Sequence, residues 1–131
     1  MPPSVVLGPL RPGGIAPSVF VLVERGAARR PQMAAATHGE AVLSFSEGYP
    51  PVAIHFGGDE IVVGEEPSEE PEVTIAGSLA LISGLLVAPM FGGVPRSRGA
   101  LTALARGEIR ITGRRSLARR LLAIMALDPT R

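Results

Sequence analysis

The chain has 131 residues, 46% apolar and 19% charged, with a formal net charge of +1. That length suits one domain, and a fold of this size hides roughly two-thirds of the surface its unfolded chain exposes, so an extensive core is attainable. With no Cys and only two His, His38 and His55, one chain cannot build a disulfide, a thiolate nucleophile, an iron–sulfur cluster or a Cys/His zinc site, and no cofactor is expected. The lack of Trp and an aromatic fraction of 4% leave few platforms for stacking bases, which argues against nucleic acid as a partner.

The near-zero net charge conceals a segregation. Residues 59–72 hold seven acids and no base, whereas residues 96–120 hold eight arginines against the single acid Glu108, and the chain has no Lys at all. A basic end of this kind steers anionic partners such as phosphate headgroups or an anionic membrane surface. The plainer alternative is a pair of solvated faces that meet each other.

In chain order, residues 1–14 are rich in Pro and Gly and read as a flexible N-terminal arm, leaving 15–131 as a single domain. Residues 15–23 are apolar, but only Arg11 precedes them and Glu24 and Arg25 follow without a cleavage motif, so they read as mature protein and the expected location is cytoplasmic. Residues 15–30 carry two periods at once. Val19, Val21 and Val23 suit a strand, while Val19, Leu22, Val23 and Ala27 share a helical face; Pro17 and the Arg29-Arg30-Pro31 ending favour a helix. Residues 32–39 read as a linker or a fraying turn.

The period then becomes two. Residues 41–46, 52–56 and 60–64 read as three strands joined by turn-forming segments, an antiparallel meander, and 72–76 as a fourth after the acidic, Pro-bounded loop 65–71. Ser78 is a helix N-cap for residues 78–88, whose leucines surround the axis instead of forming a stripe, so that helix needs apolar neighbours on more than one side. The uncharged run 73–95 is long enough to cross a bilayer, but its glycines and prolines divide it into a strand, a short buried helix and a loop at 89–99. Residues 100–106 read as a short helix with Leu101 and Leu104 inward, 108–112 as a fifth strand, and 116–127 as a helix with Leu117, Leu121, Ile124 and Met125 on one stripe and Arg115, Arg119 and Arg120 off it.

No catalytic constellation emerges. Gly57-Gly58 and Gly92-Gly93 lack the Lys-Ser/Thr of a phosphate loop, Ser44, Ser46 and Ser78 sit in no nucleophile elbow, and the acids of 65–72 lack the spacing of a calcium loop. His55 alternates with Ile54 and Phe56 and so points away from their face; it would become a catalytic candidate only in a closed pocket against a carboxylate.

Two stretches carry a family likeness. PEVTIAGSLALISGLL at 71–86, followed by ALTALARGEIRITGRRSLARRLLAIM at 100–125, resembles the sterol carrier protein type 2 domain, in which a Thr-Ile strand leads through a small residue into an apolar helix and a later Gly-bounded strand leads into a closing amphipathic helix. The likeness covers about residues 40–127. It departs from the family at Arg114-Arg115, in the Gly/Pro-rich loop 89–99, and at a C-terminus that is no peroxisomal address. The resemblance implies an α/β (α+β) fold, a five-stranded mostly antiparallel sheet with helices on one face, and a hydrophobic tunnel between them lined by Leu81, Leu85, Leu86, Met90, Phe91, Leu104, Leu121 and Met125. Such residues equally suit a dry core or a dimer contact, since a pocket and a core share one composition. The expected function is non-enzymatic binding, and transfer, of a lipid or other hydrophobic small molecule. The alternative is a module that forms a homodimer or serves a partner enzyme acting on hydrophobic substrates.

Overall fold

The computed structural model describes residues 3–8, 14–87, 90–91, 94–95 and 106–125, and of 84–87, 90–91 and 94–95 the backbone. Strand β1 (Ser4–Leu7) is followed by helices α1 (Ala16–Arg29) and α2 (Pro31–Ala36), then by β2 (His38–Phe45), β3 (Val52–Gly57), β4 (Glu60–Gly64) and β5 (Val73–Gly77). Helix α3 (Leu79–Val87) leads to a two-stranded ribbon of β6 (Met90–Phe91) and β7 (Val94–Pro95); β8 (Arg110–Gly113) and α4 (Arg115–Met125) complete the order.

Six strands form one sheet in the order β1-β4-β3-β2-β5-β8. The meander β2-β3-β4 and the pair β5-β8 are antiparallel, while β1-β4 and β2-β5 are parallel. The architecture is the mixed α/β one expected, with a correction at one edge. Ser4–Leu7, assigned to a flexible arm from its Pro/Gly-rich surroundings, is a strand in register with Glu60 to Val63, because Val5 joins the core face of the sheet and Ser4 N–H donates to Asp59 O at 3.0 Å.

Alternation decides what each strand buries. Ala41, Leu43 and Phe45 of β2, Val52, Ile54 and Phe56 of β3, Ile61 and Val63 of β4, and Val73 and Ile75 of β5 all turn to one face and are buried there. The helices cover that face. Residues 15–30 resolve as helix, burying Ala16, Val19, Val23, Gly26 and Ala27 at helical spacing. Of the two readings of 32–39, a linker or a fraying helical turn, the helical one holds: α2 starts on Pro31, where the missing N–H costs nothing, and ends where Thr37 Oγ1 donates to Met33 O at 2.7 Å.

Helix α4 buries Leu117, Leu121, Ile124 and Met125 and leaves Arg115, Arg119 and Arg120 exposed, as its stripe predicts. It meets α1 almost backbone to backbone. A Cβ on Gly26 would stand 1.8 Å from Ile124 O, so only glycine admits that crossing. Within the stretch 89–99, expected as a loop, β6 and β7 pair Met90 with Pro95 and Phe91 with Val94, and its other residues lie outside the described part. The helix expected at 100–106 has its residues 100–105 outside the described part.

The opposite face of the sheet carries the connection from β4 to β5. It crosses β3 and β2 and is fastened at Ser68, whose N–H donates to Glu40 Oε2 at 2.9 Å and whose hydroxyl donates to Glu40 Oε1.

Candidate functional site

Several of the residues expected to line an apolar site fall on α3, which follows β5. Ser78 caps α3 as its position predicts, its Oγ accepting Leu81 N–H at 3.1 Å. Ile82 is buried, Leu79 and Leu81 are half-buried against the core, and Ala80 and Ser83 face outward. The helix packs on β5 and α4. Of the eight residues expected to line a tunnel, Leu121 and Met125 lie fully buried in the same cluster on which Leu81 rests. Leu85 and Leu86 occupy the second half of α3, and Met90 and Phe91 form β6, in the stretch directly after it; their side chains, and Leu104 altogether, lie outside the described residues. The structure thus brings three of the eight to the hydrophobic core and places two more on α3 and two on β6.

The arginines divide by role. Arg114, the residue that departs from the family pattern, is a clamp: its Nη1 donates to Glu72 Oε2 at 2.9 Å and to His38 O at 3.3 Å, and its Nε to Ser116 Oγ at 3.3 Å, joining the end of β8 to the starts of β2 and β5. Arg120 Nη1 donates to Ala36 O at 3.0 Å and ties α4 to the end of α2. Arg110, Arg115 and Arg119 are exposed. Both partners of the Glu72–Arg114 pair are about half exposed, so water and salt weaken it and its contribution is roughly 0–1 kcal/mol.

His55 points away from the core, as alternation predicts. It lines an open cleft of about 390 Å³ on the face crossed by the β4–β5 connection, together with Glu40, Ala53, Val62, Glu65 and Ser68. Glu40 is its neighbour in register, and both Glu40 oxygens accept from Ser68. The acidic loop read as solvated is so at Glu66, Glu69 and Glu70, whereas Glu65 is 2% exposed and turns into the protein. Among the described residues, no three His, Asp or Glu side chains gather as a metal site, and no helix is long and apolar enough to cross a membrane.

Two contacts escaped the sequence reading: the Glu40–Ser68 fastener and the bond from Glu47 to the start of α3, where Leu79 N–H meets both carboxylate oxygens. Each joins residues that are remote in sequence, so neither leaves a local signal.

No family model matches the sequence, and no curated protein does. Solved structures match it by shape. The ubiquinone synthesis protein UbiJ-SCP2 superposes with a TM-score of 0.59 at 17% identity, over 86% of this chain and 90% of that one. The sterol carrier protein domain 2 of Helicoverpa armigera also gives a TM-score of 0.59, at 19% identity, over 90% of this chain and 92% of that one. The chain therefore has the fold of these SCP2 domains. Its sheet has one strand more than the five expected from the resemblance.

Proposed function

We propose that this chain is a non-enzymatic, cytoplasmic carrier of a lipid-like ligand, held between the sheet and the helices beside α3. One observation carries the reading: within an SCP2 fold, α3 is the sequence LALISGLLV, uncharged and apolar around its axis, and it packs on β5 and α4. A helix of that composition needs apolar neighbours on more than one side, and an acyl or ring body would supply one. The lining set is Leu81, Leu85, Leu86, Met90, Phe91, Leu104, Leu121 and Met125, with the exposed Arg115 and Arg119 of α4 available to an anionic headgroup or membrane surface.

Titration with a fluorescent fatty acid tests this. Saturable uptake is expected, and Leu85→Arg should abolish it while circular dichroism shows the fold retained; no uptake across several lipid classes overturns the reading.

A second reading has its own support. The similarity to a ubiquinone synthesis protein favours an accessory module that serves an enzyme acting on hydrophobic substrates, as a homodimer or docked on that enzyme. It predicts a concentration-dependent dimer in sedimentation, lost in Met90→Glu or Phe91→Glu without unfolding.

A further inference from the structure

The bond from Glu47 to α3 follows from the sheet register. Phe45 of β2 is paired with Gly77 of β5 across a parallel ladder, so two residues further along each strand Glu47 arrives beside Leu79. Leu79 N–H donates to Glu47 Oε1 at 3.0 Å and to Oε2 at 2.9 Å. The turn that presents the carboxylate is itself held. Ser46 N–H donates to Gly77 O at 3.0 Å, Gly48 N–H donates to Phe45 O at 3.3 Å, and the Tyr49 ring meets Phe45 edge-on with centroids 6.4 Å apart. Gly48 takes a φ of +91°, a conformation that side-chain-bearing residues rarely adopt.

Helix α3 therefore starts on two side-chain caps of different origin. Ser78 belongs to its own segment, while Glu47 reaches in from the turn after β2 and adds a negative charge at the positive end of the helix. The Glu47 bond is exposed, so water competes for it and it can open while the core stays closed. Opening it leaves the first turn of the apolar helix with the Ser78 cap.

We propose that Glu47 is a positioning residue that sets the rate of ligand exchange: bonded, it holds the first turn of α3 against β5 and keeps the apolar site shut; released, it lets that turn fray and lipid pass. This rests on the carrier reading above.

The test compares wild type with Glu47→Ala and Glu47→Gln in two ways. In lipid-free protein, hydrogen exchange at the amides of Leu79 to Ser83 should rise about fivefold in Glu47→Ala, the factor that corresponds to about 1 kcal/mol for a lost cap, while Ile54 and Phe56 in β3 keep their protection. With cis-parinaric acid in stopped flow, uptake and release should both quicken by a similar factor, leaving Kd unchanged, with Glu47→Gln in between. Unchanged rates with uptake intact overturn the proposal and leave the carrier reading standing. A raised Kd with a lowered melting temperature and no change in uptake rate assigns Glu47 to stability alone and also overturns it. Absence of uptake by wild type overturns the carrier reading, and the latch with it.

Discussion

Helices α1 and α4 on one side and α3 on the other close the same sheet by different means. The first two present an apolar stripe to the core, keep arginines outside, and cross so closely at Gly26 that Ile124 O occupies the place of a side chain. Helix α3 has no polar stripe to mark an outer side, and two side-chain caps tie down its start. The difference separates a seam that is fixed from one that can open. A seam closed by backbone contact has no room to open, whereas an all-round apolar helix held at one end can part from its neighbours without unfolding them.

The contrast can be broken from the rigid side first. Leu121→Ala, which empties a site that is 0% exposed, should cost roughly 2–5 kcal/mol in denaturant unfolding, with the whole chain losing stability together. Gly26→Ala should cost roughly 1–3 kcal/mol, because the new methyl must push α1 and α4 apart; a neutral result in thermal melts would refute the close crossing. On the α3 side, Ser78→Ala should cost about 1 kcal/mol locally, seen as faster hydrogen exchange in α3 with little change in the melting temperature. If instead the melt shifts as far as for Leu121→Ala, α3 is no separate unit and the comparison fails. Smallest of all, Glu72→Gln should change stability by less than about 1 kcal/mol and lessen its dependence on salt, as befits a half-exposed pair.

Much of this was legible in the chain. The alternation of Val52, Ile54 and Phe56 gave both the strand and its buried face, and the stripe Leu117, Leu121, Ile124, Met125 gave α4 and its orientation. The family motifs at 71–86 and 100–125 pointed to the fold that shape comparison finds. Other features depend on partners remote along the chain. Residues Ser4–Leu7 are too short a run to declare a strand, and their pairing with β4 becomes visible only when the sheet exists. The parallel pairing of β2 with β5, which no local pattern encodes, carries Glu47 to Leu79, and the antiparallel pairing of β5 with β8 carries Arg114 to Glu72. Of the apolar site, composition marked the greasy segments but not whether they enclose space, because core and pocket are made of the same residues.

The claim that the apolar site holds a lipid is tested most directly by native mass spectrometry of the protein purified from cells. The account predicts a population heavier than the bare chain by the mass of a lipid, shed on collisional activation and diminished in Leu85→Arg. A bare mass alone, from protein that also takes up no added lipid, would contradict it.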